Sequence, residues 1–404
     1  MSESAWRSGM LRADASASKQ IGTLRPIPAL ALFVTLATAA SPFGAKAQEA
    51  REFPSQQGTL RVETLATGLE HPWSVEALPD GGLIVSERPG RLRIVRDGKV
   101  SKPLAGTPKV AEYGQGGLLD IALDPGFAEN RTLYLTLAAV GDGGYGTVLV
   151  RAKLSPDESS LSEVKELFRM SRFTGKGQHF GSRIAIAPDG SLFFGIGDRG
   201  EGDRAQDPRD HAGAILHINA DGTVPGSNPY RGGTGGLAEI WSKGHRNPQG
   251  IAFDPKDGTL LTVEHGARGG DEINNPQAGH NYGWPVITYG KDYSGAEIGE
   301  GTAKEGLDQP LFYWDPSIAP GALAVYRGKM FPEWDGNLLV AALKYQLLSR
   351  LERDDSGAIG SEERLFDGEF GRIRDVIVAP DGALLMVTDE EDGAVLRVSR
   401  GATQ

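Results

Sequence analysis

One short pattern recurs six times along the chain and constrains its fold more than any other feature. Each copy is an apolar run, an Asp-Gly or Asp-Pro turn, a second apolar run, a polar loop and a third run. The copies begin at Val75, Ile121, Ile184, Ile251, Leu323 and Val376, and the fifth is the weakest. Such turns join neighbouring antiparallel strands because Asp bonds its own backbone and Gly accepts a positive φ. The sequence therefore predicts a repeated antiparallel β unit.

The copies are unevenly spaced, with insertions between strands. Blades arranged around an axis accommodate uneven insertions better than a linear solenoid does. We predict an all-β protein, a single six-bladed β-propeller of four-stranded antiparallel blades that runs from about Gly58 to Ser399. The strand at Leu60–Leu65 is expected to complete the final blade. We expect the long loops to gather on one face, namely Phe173–His179, Arg199–His211 and Gly266–Asp308.

Residues 1–47 differ from the rest of the chain and match a secretory signal peptide. Basic residues precede a short apolar run, Ile27–Ala40, and Ala45-Lys46-Ala47 fits a cleavage site. About 14 apolar residues are too few to span the ~30 Å membrane core. We predict cleavage after Ala47, a periplasmic or secreted location, no membrane span in the mature chain, and one catalytic domain over residues 48–404.

Charge and cysteine content exclude several classes of function. The leader carries five of the 42 Lys and Arg residues and two of the 53 Asp and Glu residues, which leaves 37 basic and 51 acidic residues and a net charge of −14. This balance argues against a nucleic-acid partner. The chain has no cysteine, which excludes disulfides, thiolate metal sites and a Cys nucleophile.

Two polar stretches after the third copy predict a functional loop cluster. Arg246 and Asn247 follow His245 without apolar alternation, and loops on a rigid scaffold often carry chemistry. The second stretch joins exposed carbonyls near Gly266 to the carboxylates of Asp271 and Glu272. Carbonyl and carboxylate oxygens are the ligands that Ca²⁺ prefers. A Gly-rich surface loop with solvated charges is an equally simple interpretation of the spacing.

A histidine and an aspartate flank one strand pair. His179 precedes the third copy and Asp198 ends its second strand, so the carboxylate could orient the imidazole. A histidine of near-neutral pKa suits abstraction of a hydroxyl proton. Most lone histidines are structural, and we assign His71 and His217 to that class.

Four cations precede or end repeat strands: Arg246, Lys344, Arg372 and Arg374. Gathered around an axis, they would hold a ligand with several carboxylates. Ordinary surface charge is the simpler interpretation of any one of them. The sequence lacks a dinucleotide or Walker loop, an HExxH motif and a Gly-x-Ser-x-Gly elbow, which disfavours nucleotide cofactors, zinc hydrolysis and serine esterase chemistry.

Taken together, these residues resemble the soluble pyrroloquinoline quinone (PQQ) sugar dehydrogenases, and most closely the aldose sugar dehydrogenase branch of the glucose/sorbosone dehydrogenase family. The resemblance covers nearly the whole chain after the leader. It rests on the motifs Gly114–Asp120, His179–Arg183, Gly195–Asp198, Gly244–Gln249, Glu264–Asn274, Asn281–Pro285 and Arg372–Asp375.

The resemblance implies a function and a set of roles. The protein would oxidise the C1 hydroxyl of aldoses to lactones, with hydride transfer to PQQ and His179 as the general base. Asp198 matches an acid near the base, and Arg246 would stabilise charge on the quinone. The cofactor would be surrounded by Gln115, His179, Arg246, Asn247, Tyr293, Lys344, Arg372 and Arg374. Ca²⁺ would be held by the carbonyls of Gly266 and Ala267, and a further Ca²⁺ by Glu272 and Tyr282.

Two departures and two rival functions accompany this prediction. Gln178 stands where some members have Asp before the histidine, which suggests a different sugar preference, and Ala267 stands where some have Pro. A Ca²⁺-dependent lactonase and a non-catalytic propeller that binds a glycan or a protein are the alternatives, because propellers host many functions. The expected partners are a small aldose and an electron acceptor of unidentified type, in a monomer or a dimer.

Overall fold

The computed structural model describes residues 50–402, and the predicted signal peptide and its cleavage site lie outside this range. The described chain folds into six antiparallel sheets arranged as a six-bladed β-propeller. The predicted fold class is confirmed. Five sheets have four strands, and the sixth has an additional outer strand. No helix in this part of the chain is long and apolar enough to cross a membrane.

The first three blades follow one another along the chain, and within each blade consecutive strands are hydrogen-bonded neighbours. Blade 1 contains Pro72–Ala77 (β3), Leu83–Glu87 (β4), Arg91–Arg96 (β5) and Lys99–Val100 (β6). Blade 2 contains Leu118–Leu123 (β7), Thr132–Gly141 (β8), Gly144–Leu154 (β9) and Leu161–Arg169 (β10), with a short helix at Phe127–Asn130 (α1). Blade 3 contains Ile184–Ile186 (β11), Leu192–Ile196 (β12), Ala214–Ile218 (β13) and Ile240–Lys243 (β14), with a 3₁₀ turn at Gly202–Gln206.

The remaining blades complete the ring. Blade 4 contains Pro248–Phe253 (β15), Leu260–Glu264 (β16), Asp271–Asn274 (β17) and Phe312–Trp314 (β18). Blade 5 contains Pro320–Val325 (β19), Leu338–Ala342 (β20), Leu347–Arg353 (β21) and Ile359–Leu365 (β22), with a 3₁₀ turn at Pro332–Trp334. Blade 6 contains Ile373–Val378 (β23), Leu384–Thr388 (β24) and Gly393–Arg400 (β25), followed by Gly58–Leu69 (β2) and Arg51–Ser55 (β1).

The ring is closed by pairing the start of the described chain with its end. Strand β2 lies antiparallel to β25, with Leu60 opposite Arg400 and Val62 opposite Val398. The predicted closing strand is confirmed and is longer than expected. Because β2 supplies the fourth strand of blade 6, the sheet contains residues from both ends of the propeller.

The strand directions bring the loops that carry the predicted site residues to one edge of the ring. In each blade the inner strand begins, and the second strand ends, at the same edge, because the two are antiparallel. The loops before β7, β11, β15 and β23 therefore lie beside the residues that follow β12, β16 and β24. The Asp-Gly turns lie at the opposite edge. The segment Gly266–Asp308, expected to be one long loop, contains β17 and so reaches both edges.

Candidate active site

A cavity of about 670 Å³ opens at the edge where the inner strands begin. Its wall combines cations, planar polar groups, aromatic rings and acids contributed by several blades. The main lining side chains are His71, Trp73, Arg88, Gln115, Phe180, Asn247, Gln249, His265, Arg372, Arg374, Asp389, Glu390, Glu391 and Asp392. The structure thus brings Gln115, Asn247, Arg372 and Arg374, all predicted cofactor-binding residues, to the wall of one cavity.

His179 stands beside this cavity and is paired with Asp198. Its Nδ1 lies 2.6 Å from Oδ1 of Asp198, and both side chains are buried. Its backbone N–H donates to the side-chain oxygen of Gln115 at 2.8 Å. Because Nδ1 is held by the carboxylate, Nε2 is the nitrogen left to exchange a proton with a ligand.

Burial controls the protonation of this pair. Desolvation lowers the pKa of His179 below its ordinary value, the hydrogen bond to Asp198 opposes this shift, and the positive charge of Arg246 adds to it. Desolvation would raise the pKa of Asp198, but hydrogen bonds from His179 and Gly200 and the positive charges nearby together lower it below its ordinary value. A neutral imidazole next to an ionised carboxylate is the form in which His179 can accept a proton.

The backbone around His179 is tightly constrained. His179 has φ = 57°, in the left-handed region that non-glycine residues seldom adopt. The fully buried guanidinium of Arg199 donates to the carbonyls of Gln178 and Lys176. It also packs against the Phe180 ring, 3.5 Å from the centroid. This loop therefore presents the imidazole in one position.

Arg374 is the anchored cation of the cavity. It donates to Oδ2 of Asp389 at 2.6 Å and to the side-chain oxygen of Gln249 at 3.0 Å. The other oxygen of Asp389 lies 2.9 Å from Nδ1 of His71. The charge of Arg374 helps to lower the pKa of Asp389 well below its usual range. His71, which the sequence placed among structural histidines, thus forms part of the cavity wall.

Arg372 and Lys344 are the cations that keep their charge available. Within residues 50–402, neither side chain forms an ion pair. Both are exposed, Arg372 lines the cavity, and Lys344 follows the cavity residue Leu343. The guanidinium of Arg372 can therefore meet the carboxylates of a bound ligand. The ammonium of Lys344 lies 4.9 Å from the centroid of the Tyr345 ring and would have to turn toward the cavity to do the same.

Arg246 points toward the backbone of the loop after β16. Its guanidinium donates to the carbonyl of Gly266 and, at 3.3 Å, to that of His265. Its buried Nε has no hydrogen-bond partner among the described residues. An unsatisfied buried guanidinium nitrogen is costly, so this position favours a ligand that brings an acceptor oxygen.

A second, smaller pocket adjoins Arg246 and contains most of the predicted Ca²⁺ ligands. Gly266, Glu264, Glu272, Tyr282 and Thr288 line it, and Ala267 is buried beside it in the chain. Burial, and next the charge of Glu264, raise the pKa of Glu272 to about 8. A buried carboxylate, Glu264, opposite a half-buried one, Glu272, favours a bound cation or a proton. No group of three or more His, Asp or Glu side chains suited to a metal occurs between residues 50 and 402.

Other predicted ligands are already engaged within the protein. Asp271 accepts hydrogen bonds from the backbone of Gly266, Ile318 and Ala319 and from the hydroxyl of Ser317. The phenol of Tyr282 contacts the carbonyl of Asn275 and the amide of Gln277. These contacts leave Glu272 as the available side-chain ligand, and the carbonyl of Gly266 already accepts from the guanidinium of Arg246.

Tyr293 is the predicted cofactor residue that the structure does not bring to the cavity. Its side chain is 70% exposed. It lies in a turn in which Asp292 accepts the backbone N–H of Ser294 and the Gly295 N–H donates to Asp292. The turn projects it outward, away from the lining of this cavity, and its predicted contact with the cofactor stays a prediction.

Sequence reasoning missed several residues that hold the site. Glu264 accepts from the backbone N–H of Arg246 at 2.6 Å and contacts Nδ1 of His245 at 2.8 Å. Trp284 donates from its indole nitrogen to Asp198. Both residues lie within motifs of the family resemblance, but spacing along the chain does not indicate which atoms they contact.

Both the sequence and the fold of this chain are similar to those of known proteins. The family model for glucose/sorbosone dehydrogenase matches residues 69–397. An aldose sugar dehydrogenase of Escherichia coli, YliI, is 41% identical over 348 residues, which cover 84% of this chain and 93% of the relative.

Two solved structures extend the comparison. The soluble aldose sugar dehydrogenase of Escherichia coli in the apo form is 40% identical, with a TM-score of 0.82 over 85% of this chain and 100% of the other. The PQQ-bound aldose sugar dehydrogenase of Streptomyces coelicolor is 29% identical, with a TM-score of 0.70 over 86% of this chain and 100% of the other.

Proposed function

The chain belongs to the glucose/sorbosone dehydrogenase family, and from this premise we propose that it is a PQQ-dependent aldose dehydrogenase that oxidises the C1 hydroxyl of aldoses to lactones. The observation that carries the proposal is the His179–Asp198 pair beside a cavity with free cations. A histidine oriented by a carboxylate is suited to remove a hydroxyl proton. The cations are suited to a ligand with several carboxylates.

The residues present fit the cofactor that the family implies. Arg372 and Lys344 have no internal ion pair among residues 50–402, and the buried Nε of Arg246 lacks an acceptor. PQQ carries carboxylates and quinone oxygens that would meet these groups. Gln115, Asn247 and Arg374 would hold it from the cavity wall. The carbonyls of Gly266 and Ala267 would hold one Ca²⁺ in place of the contact between Arg246 and Gly266, and Glu272 with Tyr282 would contribute to a further Ca²⁺ site in the adjoining pocket.

When bound, PQQ supplies the oxidant that takes hydride from C1, and Ca²⁺ supplies positive charge beside it. The protein supplies the base and the orientation. Nε2 of His179 accepts the proton of the C1 hydroxyl, while Asp198 stabilises the imidazolium and keeps Nδ1 protonated. Arg246 contributes a fixed positive charge that is close enough to the His179 ring to influence its protonation.

The proposal includes export. The basic, apolar and small-residue pattern of residues 1–47 supports a cleaved signal peptide and a periplasmic or secreted enzyme. Reduction of an artificial dye would substitute for the natural electron acceptor in an assay.

The decisive experiment is the absorption spectrum of the purified protein mixed with PQQ and Ca²⁺, recorded before and after addition of an aldose. We expect a stable bound-quinone spectrum that changes to that of the reduced form within one turnover. Dye reduction with the same sugar should then be continuous. No spectral change with any aldose, together with Ca²⁺-dependent hydrolysis of a sugar lactone, would replace the proposal with the lactonase alternative.

A further inference from the structure

Trp284 reaches from the loop after β17 in blade 4 to the carboxylate beside His179 in blade 3. Its Nε1 donates to Oδ2 of Asp198 at 2.8 Å. Oδ1 of the same carboxylate contacts Nδ1 of His179 at 2.6 Å and accepts the backbone N–H of Gly200 at 2.7 Å. Trp284 and His179 therefore hold opposite oxygens of one buried carboxylate.

The tryptophan is itself fixed at several points. Its backbone N–H donates to the carbonyl of Gly244 at 2.9 Å. Its carbonyl accepts from the side chain of Gln206 at 2.7 Å. Its ring packs beside the guanidinium of Arg246, with 5.3 Å between the central carbon and the ring centroid. Because both the main chain and the ring are held, the direction of the indole N–H is set before any ligand binds.

This geometry has a chemical consequence for the imidazole. A carboxylate held through one oxygen can still rotate, whereas donors on both oxygens fix its plane. The fixed plane keeps Oδ1 in line with Nδ1 of His179, which keeps the proton on Nδ1 and leaves Nε2 as the acceptor. The indole N–H also withdraws part of the carboxylate's negative charge from the imidazole.

We propose that Trp284 is a positioning residue that sets the orientation and tautomer of His179 through Asp198. The role in turnover depends on the proposed function, whereas the contacts among the three side chains do not. Four groups influence the charge of the His179 ring, namely Asp198, Arg246, Arg199 and the neighbouring His265. Among them, Asp198 is the group that touches both His179 and Trp284.

The test replaces Trp284 by Phe and by benzothienyl-alanine, which keeps the shape of the indole but has sulfur in place of the N–H. Nitrogen NMR of His179 in the cofactor-free protein reports its tautomer and its titration. With the donor lost, the full carboxylate charge acts on the imidazole. We expect the His179 midpoint to rise by about half a pH unit or more in both variants.

The loaded enzyme supplies a second measurement. Because the ring is misaligned with the reacting hydroxyl, kcat should fall about ten- to a hundredfold while KM changes little. Trp241→Phe is the matched control, since that indole donates to the carbonyl of Pro276, away from the site. Its His179 titration and kcat should equal those of the wild type.

The outcomes separate this proposal from the proposed function. An unchanged His179 midpoint and tautomer in the benzothienyl-alanine variant would overturn the positioning role, even if kcat falls through altered packing on Arg246. A shifted midpoint in a protein that oxidises no aldose would leave the positioning role standing and reject the dehydrogenase assignment.

Discussion

The guanidinium of Arg183, in blade 3, lies 3.0 Å from the carboxylate of Asp375, in blade 6 on the other side of the propeller axis. The same side chain donates to Asp120 of blade 2 at 2.7 Å. It also donates to backbone carbonyls of the three remaining blades and of blade 6, at Trp73, Gln249, Gly321 and Arg374. One buried arginine thus connects all six blades beneath the candidate site.

We expect Arg183→Met to lower the free energy of unfolding by about 3–5 kcal/mol, because Asp120 and Asp375 would remain buried without their counter-charge. Urea denaturation measures the change. The matched control is Lys153→Met, which breaks an exposed pair with Glu163 and should cost less than about 1 kcal/mol. Equal losses in the two variants would contradict a central role for Arg183.

His179→Ala should keep PQQ and Ca²⁺ but lose turnover by at least ~10²–10⁴-fold, the usual contribution of a general base. Single-turnover reduction of the bound quinone is the measurement. His217→Ala is the control: both ring nitrogens of His217 are bonded, to Asn228 at 2.7 Å and to Ser191 at 2.9 Å. That variant should lose stability and keep its rate. A normal single-turnover rate in His179→Ala would show that His179 is not the base.

The value of kcat/KM should rise with pH, and the midpoint of that rise should lie below the ordinary histidine value of about 6.5. Only neutral His179 can accept a proton, and burial lowers the pKa of His179, so the neutral form persists to lower pH. A pH series of aldose-dependent dye reduction tests this. An acid limb with its midpoint above the ordinary value would contradict the direction of the shift.

Lys344→Ala and Arg374→Ala should both weaken PQQ binding about ten- to a hundredfold, since each removes a charge-assisted hydrogen bond of ~1.5–3 kcal/mol. Arg374→Ala should also destabilise the protein, because it leaves Asp389 without its partner. Lys344→Ala should not, since Lys344 is exposed. Fluorescence titration with PQQ and thermal unfolding separate the two effects. Unchanged titration curves for both variants would refute the placement of the cofactor.

Ca²⁺ should raise the melting temperature of the cofactor-free protein, and Glu272→Gln should reduce the increase. A ligand at a hundred times its Kd adds about 2.7 kcal/mol to the folded state. Glu297→Gln is the control, because Glu297 is exposed and paired with Lys291. The same Ca²⁺ response in Glu272→Gln and the wild type would place the cation elsewhere.

The sequence predicted the inner part of each blade well because the signals there are local. Apolar runs joined by Asp-Gly turns became β3–β4, β11–β12, β15–β16 and β23–β24. The outer strands gave weaker signals. Strands β6 and β18 are two and three residues long, and β17 reads Asp-Glu-Ile-Asn, so neither length nor alternation marks them.

The same distinction between local and long-range contacts explains which parts of the candidate site could be predicted from the sequence. His179 and Asp198 flank a single hairpin, so strand direction alone brings them to one edge. Trp284 is 86 residues from Asp198 and belongs to another blade. Such a contact depends on how the long loop of blade 4 folds over blade 3. The spacing of residues along the chain does not predict it. Tyr293 lies in the same long loop and is exposed outside the lining of the cavity.

Pairing of β2 with β25 also sets an order of events during assembly. Arg372 and Arg374 precede or belong to the inner strand of the blade that this pairing completes. Their positions therefore depend on β25 pairing with β2, which is synthesised before the other five blades. The proposed quinone site can form only after β25 has been synthesised, so cofactor loading would follow that step and cannot guide the earlier folding of the propeller.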